Sequence, residues 1–387
     1  MSRKNIAMMI FMLVATLLLT GCWDVTEPQR MYYVRGVGVD YEDNEYITYL
    51  QIINFATVAK TEQANPDAAP TEIGQARGKT VEEAIYKLYR SMDQDVFWGH
   101  MTFLLFSEKA LQNEHAISVI DTFLRFRETR YHIWVYCTQD PIEDVLLVSP
   151  LLKRSPTAAK LSNPKNIAEQ NSFVDPINLR QLVIGLNEPS YEISIPYVTI
   201  NKNWETEQED TTETSFSGVG VLSKDSFKGF IKGQAARGIE WMSDETNQAE
   251  VTVQLNNDEQ DHLTVDIKKL SVNVKPIVHN NQAAFDVLLK FNVVLNGFKG
   301  KLSSDEVREK VSAEIKKEIM DTFKKGLEMD TDVFRLSEYL YRNNVKVWKK
   351  VEQDGKIPLT EDSIRKIDIH INKISPGRKT FAETIEE

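Results

Sequence analysis

The chain has 387 residues, of which 42% are hydrophobic and 27% are charged. These fractions are close to those of ordinary globular proteins, and they exclude an intrinsically disordered or low-complexity chain. At roughly 150 residues per domain, the length predicts two or three domains, each large enough to bury its own core. A net charge of −11 argues against broad, nonspecific binding of nucleic acid through a basic face, so no nucleic-acid partner is predicted.

Residues 1–21 have the zones of a secretory signal peptide. Arg3 and Lys4 are followed by an apolar stretch over residues 6–19 and then by small residues. The apolar stretch is shorter than the ~20 residues that a transmembrane helix needs, so it favours a cleaved signal over a permanent span. An uncleaved N-terminal anchor with an incidental cysteine is the alternative.

Leu19-Thr20-Gly21-Cys22 resembles the bacterial lipobox, in which the cysteine thiol receives a diacylglycerol and the chain is cut directly before it. Cys22 is therefore the predicted lipid attachment residue. The covalent diacylglycerol and N-acyl lipid would be its modification, and no cofactor is predicted. Two acyl chains, at about 0.8 kcal/mol per buried CH₂, hold a soluble domain on a membrane. Because cleavage removes two basic residues, we expect an acidic body that stands off an anionic bilayer.

The mature chain is predicted to begin with a β-hairpin. Two runs rich in β-branched and aromatic residues, 31–40 and 45–55, flank the turn residues Asp43 and Asn44. A polar segment over 59–69 follows, and its composition predicts a loop. The first two strands should therefore be neighbours in a sheet.

Strands and helices then alternate. Thr80 and Glu83 are spaced as a capping box, so a helix is predicted to begin at residue 81. The elements predicted after it are a buried strand over 96–106, a helix over 107–126 and a strand over 131–137. Cys137 lies in the apolar part of the last strand, which predicts a buried, unreactive thiol. Prolines then interrupt a region of short helices that extends to Leu186.

An acidic segment separates the two halves of the chain. Residues 201–214 contain almost no apolar residue after Trp204, and this composition predicts a linker. The sequence therefore predicts a signal peptide over residues 1–21 and an N-terminal α+β domain, in one or two subdomains, over 22–200. An acidic linker over 201–214, a C-terminal α+β domain over 215–380 and a tail over 381–387 are predicted to follow.

The second half is predicted to combine long strands with long helices. Alternating apolar residues from Phe285 to Leu295 predict a strand with one buried and one solvated face. In the preceding strand the apolar phase shifts after Ile267, which predicts a β-bulge near Lys268 and Lys269. The other predicted elements are a helix that a capping box starts at Ser303, a helix over 331–351 and a last strand over 367–371. The order indicates a multi-domain α+β fold with mixed or antiparallel sheets flanked by helices.

The sequence contains no clear catalytic or metal-binding motif. Its six histidines lack the i, i+4 spacing of a zinc-binding helix, and Gly36 and Gly38 lack the third glycine of a dinucleotide fingerprint. Asp93, Asp95 and His100, near Trp98, form the most reactive group of side chains. A short acidic turn between two elements is the simpler interpretation, so we predict no catalytic residue and no metal site.

Gly36 and Gly38 lie two residues apart in the first predicted strand and therefore on one face of it. Their missing side chains leave room for a close neighbour, either a core helix or a partner protein. These two glycines, with Asp40 and His100, are the residues predicted to serve packing or partner contact.

Motifs in both halves agree with one known family. They are Gly21-Cys22-Trp23-Asp24 with Glu27, Val34-Arg35-Gly36-Val37-Gly38-Val39-Asp40, Gly78, Thr80, Ala84, Gly99-His100, Leu104-Leu105, Glu108, Arg125, Arg130, Gly218-Val219, Leu222, Lys224-Asp225, Gly229, Arg237-Gly238 and Trp241. In order and spacing they resemble the Ger(x)C lipoproteins, the C subunits of spore germinant receptors. One difference is Ala235-Ala236, where the family usually has Glu-Thr.

This resemblance implies a non-enzymatic subunit that is lipid-anchored on the outer face of the endospore inner membrane. Its implied partners are integral-membrane subunits of the A and B types, and no small-molecule ligand is implied. Two alternatives stay open on the residues themselves. One is a surface-anchored solute-binding lipoprotein, which needs an apolar cleft between its domains, and the other is an exported hydrolase built on the turn from Asp93 to His100.

Overall fold

A computed structural model describes residues 3–17, 30–53, 71–126, 128–151, 159–165, 173–205, 210–244, 246–255, 262–296, 302–376 and 385–386. Cys22, the predicted loop over 59–69 and most of the predicted tail lie outside these residues. Helix α1 spans Arg3–Leu17. Of the helices in the described ranges, none combines the length and apolar character that crossing a bilayer requires.

The first sheet has ten strands, some of them parallel and some antiparallel. The strands are β1 Met31–Glu42, β2 Glu45–Ile53, β3 Glu72–Gly78, β4 Asp95–Phe97, β5 Phe103–Ser107, β6 Trp134–Thr138, β7 Ile177–Asn178, β8 Glu192–Glu205, β9 Asp210–Ser223 and β10 Phe227–Lys232. Their order is β10-β9-β8-β6-β5-β1-β2-β3, with β4 beside β1 and β7 beside β6. The central strands β1, β5, β6 and β8 are parallel. The predicted hairpin is confirmed, with Asp43 and Asn44 both at positive φ in its turn.

Helices cover both faces of the first sheet. They are α2 Val81–Tyr89, α3 Glu108–Leu111, α4 His115–Arg125, α5 Ile142–Leu147 and α6 Leu179–Asn187. Apolar residues of α2, α3, α4 and α6 share one core with Val37 and Leu104. Helix α5 packs on the opposite face against Phe103 and Leu105. The Thr80 hydroxyl accepts a hydrogen bond from the Glu83 N–H, so the predicted N-cap of α2 is confirmed.

Two predicted elements of the first half are shorter than expected. The strand predicted over 96–106 is divided into β4 and β5, because a turn closed by the Met101 N–H and the Trp98 carbonyl interrupts it. The helix predicted over 107–126 is divided into α3 and α4 at Asn113, which has a positive φ of 54°. Asparagine tolerates this conformation, which ends a helical turn.

The prediction of a linker over 201–214 is wrong. Residues 201–205 and 210–214 form the outer parts of β8 and β9, where Asn201 pairs with Glu213 and Trp204 with Thr211. Residues 202–205 are all exposed, so both faces of this end of β8 are solvated, which accounts for its polar composition. Strands β9 and β10 belong to the first sheet, so a domain boundary at residue 215 would cut through β9.

The second sheet has four strands in the order β11-β12-β13-β15. They are β11 Gln248–Gln254, β12 His262–His279, β13 Gln282–Asn296 and β15 Ile364–Ser375. The predicted bulge is confirmed, because the register of β12 shifts between Lys268 and Ser271 and Lys269 has a φ of 59°. Strand β15 confirms the predicted last strand and lies parallel to β13. A short parallel pair joins β14 Leu302–Ser303 to β16 Ile385–Glu386.

The remaining helices pack on and around the second sheet. They are α7 Arg237–Trp241, α8 Ser304–Glu328, α9 Leu336–Asn343 and α10 Val345–Val351. The predicted cap of α8 is confirmed, since the Ser303 hydroxyl accepts from the Glu306 N–H. Two helices, α9 and α10, replace the single helix predicted over 331–351. Asn344 follows the end of α9, and its side chain accepts a hydrogen bond from the Val347 N–H as the N-cap of α10. Val219 and Ile231 of the first sheet share the core of the second, so one core joins the two sheets.

Candidate functional site

The beginning of β1 is tied to the predicted lipid attachment residue by a short segment. The described chain resumes at Arg30, eight residues after Cys22, and β1 starts at the next residue. Eight residues span at most about 29 Å when fully extended. The end of the first sheet at which β1 begins therefore lies within about 29 Å of Cys22.

A groove of about 1230 Å³ lies at this end of the sheet. It is lined by the start of β1, the turn before β4 and the C-terminal ends of α2 and α4. Its apolar lining includes Met31, Met92 and Phe126, and its exposed carboxylates include Asp95 and Glu128. The groove thus presents apolar surface next to negative charge, and we call it the β1 groove.

Of the side chains singled out in the turn from Asp93 to His100, Asp93, Asp95 and Trp98 line the β1 groove, whereas His100 is not among its lining residues. The Tyr32 hydroxyl donates to Asp93 Oδ1 at 2.7 Å. The His100 ring lies 5.0 Å from the ring of Tyr33 and 5.5 Å from that of Phe97, and partial burial lowers its pKa. Within the described residues, no group of three or more His, Cys, Asp or Glu side chains could hold a metal ion.

Trp98, in the same turn, faces the core. It is 3% exposed, and its Nε1–H donates to the Tyr89 hydroxyl at 2.6 Å. Its backbone N–H donates to a Glu128 carboxylate oxygen at 3.3 Å. The turn therefore connects the ends of α2 and α4 to the sheet.

Gly36 and Gly38 both face close neighbours within the chain. A Cβ on Gly38 would lie 2.2 Å from Cγ2 of Ile142, so helix α5 occupies the space that this glycine leaves. A Cβ on Gly36 would lie 2.2 Å from the ring of Phe103, which is on the neighbouring strand and not on a helix. The missing side chains thus serve internal packing at both positions.

Asp40 supports the start of helix α3. Its Oδ1 accepts a hydrogen bond from the Ser107 hydroxyl. The Ser107 oxygen in turn accepts from the Ala110 N–H at 3.1 Å, as the N-cap of the helix. Asp40 therefore orients the capping side chain, while partner contact by Asp40 or His100 stays a prediction.

The contact between the two sheets contains a buried carboxylate that sequence reasoning missed. Glu192, at the start of β8, is 2% exposed. Its carboxylate accepts from the Asp332 N–H at 2.6 Å and from Lys356 Nζ at 3.2 Å. Its backbone carbonyl accepts from Arg335. The sole available signal was a glutamate directly before a strand of alternating apolar residues, and that pattern does not reveal partners far away in sequence.

Unusual backbone conformations concentrate at this contact. Five non-glycine residues in the two chain segments that form this contact have a positive φ. They are Ser190, Tyr191, Asp330, Arg335 and Asp354. The Asp332 carboxylate, itself buried, accepts from the Leu336 and Ser337 N–H groups at 2.7 Å each and starts α9. Such conformations cost free energy and persist where the surrounding contacts fix them. We call this region, residues 185–192 against 330–357, the Glu192 contact.

Comparison with known proteins accounts for both sheets. The family described as "Spore germination protein N-terminal domain" matches residues 24–200, and "Spore germination B3/ GerAC like, C-terminal" matches residues 217–373. This chain belongs to the Ger(x)C family of spore germination proteins. The first match ends within β8 and the second begins within β9, so the two Ger(x)C regions meet at the hairpin between these strands.

Relatives of similar length support the same assignment. The chain is 24% identical over 366 residues to spore germination protein B3 of Bacillus subtilis (strain 168), covering 91% of this chain and 92% of that protein. It is 21% identical to spore germination protein KC of the same organism, covering 89% of each. The crystal structure of the GerBC protein superposes with a TM-score of 0.53 at 17% identity, covering 88% of this chain and 97% of that one, which shows that the fold is shared.

Proposed function

We propose that this Ger(x)C protein is a lipid-anchored subunit of a spore germinant receptor. In this proposal Cys22 carries the lipid, and the body lies on the outer face of the inner spore membrane. The observation that carries it is the position of the family match, which begins at residue 24, two residues after the Cys22 that ends the lipobox-like sequence. The protein would act through assembly and signal coupling, without covalent chemistry.

The partners in this proposal are the integral-membrane subunits of the same receptor. The segment from Cys22 to Arg30 is short, so the β1 groove would lie within about 29 Å of the bilayer surface. Its apolar residues and its exposed Asp95 and Glu128 are complementary to a segment with apolar and basic side chains. Arg30 and Arg125 also line the groove, and Arg125 is paired with Asp121 at 2.8 Å, so the carboxylates of Asp93, Asp95 and Glu128 outnumber the two guanidinium groups. The occupant we propose is a basic, amphipathic loop of an integral-membrane subunit.

Lipid attachment is tested with the two cysteines of the chain. We expect the Cys22→Ala chain to lose incorporation of a labelled fatty acid and most of its membrane association, and spores that carry it should respond poorly through the cognate receptor. Cys137→Ala is the matched control, because it removes the other cysteine and should keep the label. A Cys22→Ala chain that stays membrane-bound, in spores with a normal response, would contradict the proposal.

The groove is tested separately by photo-crosslinking in spores. A photoreactive amino acid at Met92, in the β1 groove, should form an adduct with an integral-membrane receptor subunit. The same amino acid at Lys109, beside Glu42 at the opposite end of β1, should not. Equal adducts from both positions, or none from Met92 in a chain that is still lipidated, would overturn the groove assignment and leave the anchor assignment intact.

The two alternative functions lack a supporting observation. A solute-binding lipoprotein would need an apolar cleft between its domains, whereas the described residues between the sheets form the shared core and the Glu192 contact. A hydrolase on the turn from Asp93 to His100 would need the carboxylates and the imidazole to act together, whereas Asp93 and Asp95 line the β1 groove and His100 is not among its lining residues.

A further inference from the structure

A buried group of charged side chains lies between α7 and α8, apart from the β1 groove and the Glu192 contact. Arg237 and Glu240 are on α7, and Glu318 is on α8. Arg237 Nη1 lies 3.0 Å from Glu240 Oε2, and Arg237 Nε donates to Glu318 Oε1 at 3.4 Å. One guanidinium therefore faces two carboxylates.

The two carboxylates differ in how well the protein stabilises their charge. Glu318 also accepts a hydrogen bond from Trp241 Nε1–H at 2.5 Å. Glu240 is 1% exposed. Its 3.0 Å contact with Arg237 Nη1 lacks hydrogen-bond geometry, so within the described residues neither of its carboxylate oxygens accepts a hydrogen bond. A buried carboxylate without hydrogen bonds is costly to ionise. Glu240 is thus the member of the pair that is better suited to hold a proton.

The other charged groups that face Glu240 are also acidic. They are Glu250 on β11 and Asp175, which precedes β7. The Arg237 guanidinium also donates a hydrogen bond to the backbone carbonyl of Glu250. It lies over the rings of Phe173 and Trp241. Burial raises the pKa of Glu240 to about 8, which Arg237 opposes and the neighbouring carboxylates reinforce. Burial also raises the pKa of Glu318.

Helix α7 packs closely against α8 beside this group. The Gly238 N–H donates to Thr322 Oγ1 at 2.8 Å, and a Cβ on Gly238 would lie 2.6 Å from the Glu318 carbonyl oxygen. Thr322 Oγ1 in turn donates to the Ala235 carbonyl at 2.7 Å. An ionised Glu240 would compete with Glu318 for Arg237, and the Arg237–Glu318 ion pair is a contact that joins α7 to α8.

We propose that Glu240 carries a proton in the folded protein at neutral pH and that the loss of this proton loosens the packing of α7 against α8. Helix α7 follows the last strand of the first sheet, and α8 packs on the second sheet. The packing between the two sheets is therefore proton-linked. This inference does not depend on lipid attachment or on the receptor partners.

The direction of the pH dependence follows from proton binding. The unfolded chain releases the Glu240 proton near pH 4.5, and the folded protein releases it near pH 8. Between these values the folded state holds the extra proton, so each rise in pH favours the unfolded state. The stability that Glu240 contributes is complete below pH 4.5 and is lost as the pH rises to about 8.

The test compares the full-length protein in detergent with its Glu240→Gln variant, which keeps the shape and removes the charge. The Tm of both proteins is measured at pH 6 and at pH 9. We expect the fall in Tm over this range to be larger for the unchanged protein than for the variant, by about 5 °C or more. Hydrogen exchange in 237–241 and 304–328 should rise over the same range in the unchanged protein alone. Glu314→Gln is the matched control, since Glu314 lies on α8 in an ion pair with Lys317 and should leave the pH dependence unchanged.

Two further measurements keep the proposal testable if Glu240→Gln does not fold. Glu318→Gln removes the second carboxylate that faces Arg237, so the guanidinium would stabilise the charge of Glu240 alone. The pKa of Glu240 should fall, and the loss of stability should shift to lower pH. Infrared difference spectra of the unchanged protein should show the carbonyl stretch of a protonated carboxyl group at pH 7 that disappears above pH 8. Parallel pH profiles for the unchanged protein and Glu240→Gln, or no such band at pH 7, would overturn the proposal.

Discussion

The carboxylate of Glu192 and the ammonium of Lys356 lie 3.2 Å apart, although 164 residues separate them in the sequence. Glu192 starts a strand of the first sheet, and Lys356 follows the helices that pack on the second. Lys356 also donates to the Asp330 carbonyl at 3.0 Å. The ion pair therefore contributes to fixing the placement of the first sheet against the helices of the second. Because burying two charges costs desolvation energy, such a pair adds little net stability, whereas removing one partner leaves the other charge buried and is strongly destabilising.

Replacing Glu192 with alanine should destabilise the protein strongly. The change removes the acceptor of the Asp332 N–H and one of the two carboxylate partners of Lys356, which keeps Asp330 Oδ2 at 3.3 Å. Breaking a buried pair costs several kcal/mol, and because Lys356 keeps Asp330 and some access to water we expect the lower end of that range, about 3 kcal/mol. Urea unfolding measures the loss.

Glu188→Ala is the control for this change. Glu188 pairs with Arg342 at 2.9 Å at the same contact, but both side chains are exposed. Exposed ion pairs contribute about 0–1 kcal/mol, so this variant should unfold close to the unchanged midpoint. Equal losses in the two variants would show that Glu192 has no special role in joining the sheets.

Gly38→Ala should destabilise the first sheet by about 1–3 kcal/mol, because the added methyl group would overlap Cγ2 of Ile142. Ile142→Ala should cost less stability in the Gly38→Ala chain than in the unchanged protein, since there it also removes the overlapping group. Gly74→Ala is the control, as its Cβ would meet only the movable Cδ2 of Leu88 at 3.2 Å. Thermal unfolding of the single and double variants measures the coupling, and strictly additive losses would argue against the overlap.

Sequence reasoning succeeded where a few adjacent residues determine the structure. The capping pairs at Thr80 and Ser303 and the turn at Asp43 act through hydrogen bonds and dihedral angles within a few residues. The bulge near Lys268 was also predictable, because a phase shift of apolar residues in one strand requires it. These features need no knowledge of distant partners.

The failures involve partners that are distant in sequence. Residues 201–214 have the composition of a linker, yet β8 and β9 pair there, and composition does not reveal which strands meet. Glu192 has its hydrogen-bond partners 140 and 164 residues away, and the neighbours of Glu240 include Asp175 and Glu318 from other parts of the chain, so neither carboxylate showed a signal in its own segment. Among the predicted site residues, the packing of Gly38 against a helix could be foreseen, while the β1 groove needs the ends of α2 and α4 in place.

Ser303→Ala should lower the free energy of unfolding by about 1 kcal/mol. The Ser303 hydroxyl accepts from the Glu306 N–H at 3.1 Å, and alanine leaves that N–H without its cap. Ser303→Asp should retain the stability, because a carboxylate also accepts this hydrogen bond and interacts favourably with the helix N-terminus. Urea unfolding of both variants gives the comparison. An alanine variant as stable as the aspartate variant would show that α8 does not depend on its cap.

The thiol of Cys137 should not react with a maleimide while the protein is folded. It is fully buried between strands, its Sγ lies 3.5 Å from the carbonyl oxygens of Ile195 and Pro196, and burial raises its pKa. A thiol reacts through its thiolate, so both access and ionisation protect it. In the purified Cys22→Ala chain, where Cys137 is the remaining cysteine, the labelling rate in rising urea should follow unfolding measured by circular dichroism. Rapid labelling without urea would show that β6 and β8 separate in the folded protein.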